Sequence, residues 1–307
     1  MKEFSFPSHG AGTIHAYRWE PEGAPIAVLQ IVHGIAEHML RYDEFARWLN
    51  ERGVLVVAED HMGHGKSEGS GAPLYFAGGW FCAVDDSFEL LRRTQAEFPD
   101  TPYFILGHSM GSFLTRSLLI RYPKTRLAGA VICGTAWQPE PVLLAGRALT
   151  ALAALGGDKR HSRFLHRLMF GAYNAKFPDA KTENDWVCSD PEVVARYTAD
   201  PLCGGKETVG LARAMLGGIA FNQKRKNLAR MNPELPVLLI AGQSDPVGNM
   251  SRGVIRAAEE FRKAGVRRVD CKLYSGRHEI LNEPNRLEVY RDVWNFMAAA
   301  GNLVTDL

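Results

Sequence analysis

The stretch that decides the fold is YFILGHSMGS, residues 103–112. Its apolar first part, 103–106, is typical of a short buried strand that ends at a glycine. From Met110 onward, MGSFLTRSLLIRYP has apolar residues at helical spacing until a proline ends it. Ser109 is therefore predicted to lie on a tight strand-to-helix turn.

Ser109 has a glycine two positions away on either side, Gly107 and Gly111. Small neighbours are what a strained turn of this kind requires. The helix that follows would direct its free backbone N–H groups at any anion formed there. The pattern predicts a G-x-S-x-G nucleophile elbow, which exposes a serine hydroxyl at the top of a sheet. The alternative is a surface serine in a glycine-rich turn.

An elbow serine needs an imidazole as general base and a carboxylate that orients the imidazole. In this kind of fold the order along the chain is serine, acid, histidine. Asp245 follows the apolar run 236–242, and His278 follows the next predicted strand. We therefore predict Ser109 as nucleophile, Asp245 as acid and His278 as base. The alternatives are a turn aspartate before a proline and an exposed loop histidine.

The stretch IVHGIAEH, residues 31–38, offers the second backbone donor that acyl transfer needs. Gly34 shapes a turn after a predicted buried strand, and the turn directs the next N–H toward the elbow. We predict that the N–H groups of Ile35 and Met110 form an oxyanion hole. Only the backbone acts in this role, so an isoleucine at position 35 is compatible with it.

The other histidines are interpreted as structural. His108, next to the predicted nucleophile, is interpreted as a packing or supporting residue. His61 and His64 in DHMGHG lack the spacing of zinc motifs, and a tight loop explains the glycines around them. We expect no metal and no cofactor.

Strand and helix patterns alternate along most of the chain, which predicts a mostly parallel sheet covered by helices on both faces. Residues 135–205 carry helical and irregular patterns without a convincing strand. We predict a core of residues 1–134 and 206–307 with a helical cap inserted at 135–205; the alternative is a long helical connection packed to the side. An opening hairpin is followed by predicted strands at 25–34, 54–60, 103–106, 127–134, 236–242 and 268–275 and helices at 42–53, 79–98, 249–265 and 285–299.

The composition of the chain gives information on its partners and its location. The 307 residues carry a net charge of +2, which gives no reason to expect nucleic acid as a partner. The five cysteines are scattered and lack a C-x-x-C pair, which indicates reduced thiols in a cytoplasmic protein. The first residues lack an apolar signal region, and no run is long enough to span a bilayer, so we expect a soluble protein.

Five segments occur in order across nearly the whole chain: HGIAEH, DHMGHGKS, GHSMGS, GQSDPVG and GRHEILNE. Together they resemble the serine α/β-hydrolases of the monoacylglycerol lipase and lysophospholipase group, known broadly as serine aminopeptidase S33-like hydrolases. The resemblance implies an α/β-hydrolase fold with an eight-stranded sheet and a cap, and the same roles for Ser109, Asp245 and His278. HGIAEH departs from the commoner HGAGEH and places the bulkier Ile35 where it would narrow the acyl entrance.

The expected reaction is a two-step acyl transfer on a small ester or lipid such as a monoacylglycerol or a lysophospholipid. Ser109 attacks the carbonyl while His278 takes its proton, and water then releases the carboxylate. A serine nucleophile argues against dehalogenase and epoxide hydrolase chemistry, which use a carboxylate.

Other functions stay open. A proline-iminopeptidase needs cap carboxylates that hold an ammonium group, for which Glu140, Glu183 and Asp185 are candidates, but such enzymes commonly carry tryptophan where this chain has Met110. Thioester, amide or carbon–carbon bond cleavage uses the same triad. A non-catalytic binding module is disfavoured because every catalytic element is present.

The predicted cap contains the segment 141–157, PVLLAGRALTALAALGG, which has Arg147 as its only charged residue. A helix that is apolar all round is either buried or meets something apolar. The segment is interpreted as an acyl-chain tunnel or a surface for transient lipid contact, with ordinary packing on the core as the alternative. Met169, Phe170 and Tyr173 are interpreted as core residues.

Overall fold

Eight strands form one sheet in the computed structural model, which describes residues 1–69 and 71–303. They are β1 (Lys2–Pro7), β2 (Thr13–Trp19), β3 (Ala27–Val32), β4 (Val54–Glu59), β5 (Tyr103–His108), β6 (Gly129–Cys133), β7 (Val237–Gly242) and β8 (Val269–Tyr274). Their spatial order is β1-β2-β4-β3-β5-β6-β7-β8. The pairs β1–β2 and β2–β4 are antiparallel and the others are parallel. The predicted mostly parallel, eight-stranded sheet is confirmed.

Ten α-helices lie within the described part of the chain. They are α1 (Asp43–Asn50), α2 (Trp80–Glu97), α3 (Met110–Arg121), α4 (Glu140–Ala154), α5 (Arg163–Phe170), α6 (Pro191–Ala199), α7 (Val209–Gln223), α8 (Arg225–Leu228), α9 (Arg252–Lys263) and α10 (Arg286–Gly301). Short 3₁₀ turns occupy Met39–Tyr42 and Asn174–Lys176.

The core lies on both faces of the sheet, because alternate residues of a strand point to opposite faces. In β3, Val28 and Val32 belong to an apolar cluster that includes α2, α3 and α9. Leu29 and Ile31 belong to a second cluster that includes α1 and α10. Every residue of β3 through β7 is buried, as expected for strands covered on both sides.

The predicted helix at 249–265 begins three residues later than expected, at Arg252. Asn249, Met250 and Ser251 have φ values of 50°, 52° and 74°, in the left-handed region. Residues in that region cannot belong to a right-handed helix. The Met250 N–H instead donates to the backbone oxygen of Asp245 at 2.8 Å, so these residues form part of the loop after β7.

The described residues between β6 and β7 add no strand to the sheet and contain α4 to α8. The part around α6 has a small apolar cluster of its own, formed by Val187, Cys188, Val193, Val194, Tyr197 and Cys203. Further along, α7 packs against both α3 and α4 and so joins this helical region to the sheet.

Candidate active site

Ser109 lies between the end of β5 and the first residue of α3. Its backbone has φ 52° and ψ −120°, a strained conformation for a residue with a side chain. The Ser109 N–H donates to the backbone oxygen of Cys133 at 3.0 Å, which ties the turn to β6. The structure thus shows the tight strand-to-helix turn that the sequence predicts.

The glycines around Ser109 allow close approach of backbone to backbone. A Cβ atom on Gly111 would lie 2.0 Å from the backbone oxygen of Val32, and one on Gly107 would lie 2.3 Å from Thr115 Oγ1. Both distances are far below van der Waals contact. Any larger residue at either position would therefore push the turn out of place.

Asp245 and His278 lie in the loops after β7 and β8 and are brought together by the parallel order of these strands. His278 Nδ1 donates to Asp245 Oδ1 at 2.9 Å, and the Val247 N–H donates to the same oxygen at 2.9 Å. Both side chains are buried. Among the described residues His278 Nε2 has no hydrogen-bond partner, which leaves it available to a group entering the site.

His278 is packed between other rings. The His108 ring lies 4.7 Å from the His278 ring, centroid to centroid, and the Trp186 ring lies 5.2 Å from it. Since Ser109 directly follows His108 in the chain, the predicted nucleophile and the predicted base share one small region. Trp186 comes from the segment before α6, so the helical region contributes directly to the site.

The predicted oxyanion donors lie on two loops that meet beside Ser109. A Cβ atom on Gly34 would lie 3.0 Å from Ser109 Cβ, so the turn with Gly34 and Ile35 passes directly beside the serine. The Ile35 N–H has no acceptor among the described residues. Met110 is the first residue of α3, where a helical N–H lacks an intrahelical acceptor.

Glu37 organises this loop, and the sequence analysis missed it. Its Oε1 accepts from the Gly34 N–H at 2.6 Å and the Tyr42 hydroxyl at 2.9 Å, and its Oε2 accepts from Arg41 Nη1 at 2.8 Å. His108 Nδ1 lies 3.2 Å from Oε1. The signal in the sequence is the spacing of Glu37 and Arg41, four residues apart in an otherwise apolar segment.

Electrostatic interactions stabilise the hydrogen-bond network around Glu37. Burial alone would raise the Glu37 pKa, but the hydrogen bond from His108 and the charge of Arg41 hold it well below its ordinary value. Burial likewise opposes protonation of His108, but the Glu37 carboxylate raises the His108 pKa. The His108 ring nitrogens face two oxygen acceptors, Glu37 Oε1 and the backbone oxygen of His278. His108 is thus a supporting residue in an ion pair.

Arg41 extends the network to the loop of His278. Its guanidinium donates to both carboxylate oxygens of Glu279, the residue after His278, with Nη2 at 2.6 Å from Oε2. It also lies over the Tyr197 ring at 4.7 Å. One arginine, whose side chain is 11% exposed, therefore connects the Gly34 loop, the His278 loop and α6.

His61 and His64 form a buried cluster of rings with His33. The His33 and His61 rings lie 4.0 Å apart, and His33 Nε2 accepts from the His61 N–H at 2.9 Å. Burial, with the neighbouring His64, lowers the His61 pKa to about 3, and burial lowers the His64 pKa to about 4. His33 Nδ1 donates to the Gly34 oxygen at 2.7 Å. These neutral rings hold the Gly34 loop in position.

Two cavities meet at the site. The larger, about 650 Å³, contains Ser109 and is lined mainly by apolar side chains of α3, α4, α5 and α7. The smaller, about 290 Å³, is lined by apolar and polar groups together, and the polar ones include His166, Glu183 and Glu207. Both cavities share Ile35, Phe170 and Trp186.

The interpretation of Met169, Phe170 and Tyr173 as core residues needs correction. Met169 does pack against the core. However, Met169, Phe170 and Tyr173 all line the larger cavity. Helical spacing identifies the apolar face of α5 but cannot tell whether that face meets other side chains or an open cavity.

Comparison with known protein families identifies the family of this chain. The sequence model of one protein family, described as serine aminopeptidase, S33, matches residues 23–285. The chain belongs to this family.

Several similar proteins are ester hydrolases by name. A monoacylglycerol lipase from Mycolicibacterium smegmatis is 32% identical over 97% of this chain and 97% of its own length. A monoglyceride lipase from Mus musculus is 28% identical over 86% of this chain and 78% of its own length. The crystal structure of a thermostable carboxyl esterase from Bacillus coagulans with glycerol has a TM-score of 0.88 at 28% identity, and covers 97% of this chain and 98% of that chain.

These similarities confirm three predictions: the α/β-hydrolase fold, the family, and an enzyme of the serine ester hydrolase class. They do not favour the aminopeptidase alternative. Of the three carboxylates considered for that alternative, Glu183 lines the smaller cavity, where Arg167 and Lys206 also lie. Within the described residues no helix is both long and apolar enough to cross a bilayer.

Proposed function

We propose that this S33-family protein hydrolyses monoacylglycerols and similar simple esters. The observation that carries the proposal is a large apolar cavity at Ser109 that shares Ile35, Phe170 and Trp186 with a smaller cavity. The large apolar cavity suits an acyl chain and has a volume typical of small-molecule sites. The smaller cavity has polar side chains in its lining and suits a hydroxylated alcohol such as glycerol. The names of the similar lipases support the same substrate class.

Ser109, Asp245 and His278 are proposed as the catalytic triad. Ser109 Oγ attacks the ester carbonyl carbon, and His278 Nε2, the ring nitrogen without a partner among the described residues, takes the hydroxyl proton. Asp245 accepts from His278 Nδ1 at 2.9 Å, which fixes the tautomer and stabilises the imidazolium that forms.

The N–H groups of Ile35 and Met110 are proposed to hold the oxyanion of the tetrahedral intermediate. When this intermediate collapses, the ester bond breaks and the alcohol leaves with the proton from His278. Water then attacks the acyl-enzyme by the same route and releases the carboxylate. Ile35 lines both cavities, so its side chain lies where acyl and alcohol parts would separate.

We propose residues 135–205 as the cap over a core of residues 1–134 and 206–307, and we propose that the cap contacts lipid surfaces transiently. In support, α4 and α5 expose an apolar patch at the mouth of the larger cavity. The members of this patch are Val142, Leu144, Leu149, Leu152, Leu155, Phe164 and Leu168, each at least 38% exposed. Val142, Leu149 and Leu168 also line the cavity, so the patch is continuous with the proposed acyl site.

A cytoplasmic location is proposed from the cysteines. All five are free thiols, and Cys133, Cys188 and Cys203 are buried. Free thiols persist in reducing compartments.

The proposed function is tested by hydrolysis of a 1-monoacylglycerol series from short to long chains, with the Ser109→Ala protein as control. Activity that peaks at medium or long chains and disappears in Ser109→Ala is the expected result. Activity confined to the shortest chains would make the protein a small-ester hydrolase. Activity retained by a folded Ser109→Ala protein would overturn the assignment of the nucleophile.

A further inference from the structure

A cluster of three potential metal ligands lies outside the proposed triad. His38, Asp200 and Cys203 each offer one ligand atom, and these atoms lie within 4.8 Å of one another. His38 Nε2 is 2.9 Å from Asp200 Oδ2. The cluster joins the end of the Gly34 loop to the turn between α6 and α7, across 162 positions of sequence. This separation explains why no metal motif is visible in the sequence.

The turn that carries two of the ligands is held by its own hydrogen bonds. Asp200 Oδ1 accepts from the Leu202 N–H at 2.8 Å, and the Asp200 backbone oxygen accepts from the Cys203 N–H at 3.0 Å. Because Oδ1 is engaged in this way, Oδ2 is the oxygen that meets His38. Hydrogen bonds that orient a ligating carboxylate are typical of built metal sites.

His38 presents a buried ring to the cluster. Its side chain is only 8% exposed, and its Nε2 faces Asp200 Oδ2, so Nε2 is the nitrogen that would bind an ion. Its Nδ1 has no hydrogen-bond partner within residues 1–69 and 71–303, which leaves that nitrogen to water when Nε2 holds a metal.

We propose that His38, Asp200 and Cys203 bind Zn²⁺, with water as a fourth ligand. One imidazole nitrogen, one carboxylate oxygen and one thiolate sulfur form a donor set that suits zinc. Two ligands that each lie about 2.0 Å from a tetrahedral zinc are about 3.3 Å apart, so the His38–Asp200 pair is already close to the required spacing. The Cys203 sulfur lies within 4.8 Å of the other two ligand atoms.

The charges around the cluster are compatible with a cation. Arg41 is the nearby positive charge, but Glu37 and Glu279 both pair with it. Zinc displaces the proton of the Cys203 thiol when it binds, so uptake strengthens as pH rises.

The site would fasten the Gly34 loop to the turn between α6 and α7. The backbone oxygen of Ala36 already accepts from the Gly204 N–H at 2.9 Å and from the Tyr197 hydroxyl at 3.0 Å. A zinc ion on His38 adds a metal link beside these hydrogen bonds. Zinc therefore stabilises the folded protein, whatever the protein's substrate is.

The experiment is a titration of the chelator-treated full chain with Co²⁺, a spectroscopic stand-in for zinc, followed by Zn²⁺. We expect one Co²⁺ per chain, a thiolate-to-cobalt charge-transfer band, and loss of the band when Zn²⁺ displaces Co²⁺. The band disappears in Cys203→Ser and persists in Cys271→Ser, which changes a half-buried free cysteine on β8. Zn²⁺ raises the melting temperature by about 5 °C when it exceeds Kd a hundredfold.

An absent band in the wild-type protein, or an undiminished band in Cys203→Ser, overturns the proposal. If Cys203→Ser does not fold, the Asp200→Asn variant tests the proposed site instead. The Asp200 carboxylate is 31% exposed, and the asparagine amide that replaces it has the same shape. Asp200→Asn is expected to weaken Co²⁺ binding at least tenfold. Equal Zn²⁺ stabilisation of the wild-type protein and Asp200→Asn indicates adventitious binding and also overturns the proposal.

Discussion

Glu37 is the residue on which the hydrogen bonds of the Gly34 loop converge. It accepts from a backbone N–H, a tyrosine hydroxyl and an arginine, and it lies beside His108 Nδ1, all in one buried place. The Gly34 N–H that it holds belongs to the residue before the proposed donor Ile35. We infer that Glu37 is a positioning residue for the oxyanion hole, acting through the backbone and not through substrate.

Glu37→Gln is expected to lower kcat by about 10- to 100-fold with a smaller change in KM. Loss of a whole oxyanion donor costs about 10²- to 10³-fold, and a displaced donor costs less. The control is Glu59→Gln, a second buried carboxylate, which should keep kcat within about twofold. Steady-state kinetics on a soluble ester, with thermal unfolding to confirm the fold, measures both. Wild-type kcat in Glu37→Gln would show that the loop does not depend on this carboxylate.

Glu59 lies in the core beneath the site and is fully buried. Its carboxyl group meets the Ser87 hydroxyl and, at 3.4 Å, the Gln30 amide. Burial raises the Glu59 pKa from 4.5 to about 8. The folded state therefore favours the protonated Glu59 carboxyl group. The contribution of this group to the free energy of unfolding is fully present below pH 4.5 and is lost as pH rises through 8.

Glu59→Gln is neutral at every pH and should lack this loss of stability. Between about pH 5 and pH 9 the free energy of unfolding of the wild-type protein should fall relative to that of Glu59→Gln by on the order of 4 kcal/mol. Urea unfolding of both proteins across this range measures the difference. Parallel stability curves would mean that Glu59 is not protonated in the folded state.

At the scale of elements, α4 is an apolar helix with one buried face and one face exposed to solvent. Leu143 and Thr150 are buried, while Leu152 and Leu155 on the same helix are 66% and 83% exposed. Leu143 and Thr150 line the larger cavity together with other residues of α4, whereas Leu152 and Leu155 do not. Both interpretations of the segment 141–157, packing and contact with something apolar, therefore describe part of the helix.

Replacement of Leu152 and Leu155 together by Asp should weaken binding to phosphatidylcholine–phosphatidylglycerol vesicles by about tenfold or more. The reason is the lost burial of two leucines, each worth about 1.5–3 kcal/mol when complete. Turnover of a soluble short-chain ester should not change. The matched control is Leu287→Asp on α10, where an exposed leucine lies outside the patch. Equal vesicle binding by the double variant and the control would rule out the patch as the lipid contact.

The elements differ in how much of them the sequence could predict. The strand and helix around Ser109 are predictable because their apolar patterns and flanking glycines are local. The late start of α9 is not predictable from the sequence, because Met250 and Ser251 are not residues that favour a left-handed backbone. Nor could spacing alone show that Met169 and Phe170 face a cavity, since that depends on where α4 and α7 pack.

At the scale of the whole molecule, the parallel sheet assembles the site. Loops after β3, β5, β7 and β8 all leave the same edge, which brings Ile35, Ser109, Asp245 and His278 together. Their positions were predictable because each follows a predicted strand. The contacts Arg41–Glu279 and His38–Asp200 were not, because they join residues 238 and 162 positions apart without a shared pattern.

The most direct test of the account is whether Ser109 carries the acyl group. The protein is mixed with a fluorophosphonate, or with a slowly hydrolysed ester, and the adduct is located by peptide mass spectrometry. We predict one adduct per chain, on Ser109, and none in Ser109→Ala. An adduct on another residue, or labelling that persists in a folded Ser109→Ala protein, would contradict the central claim.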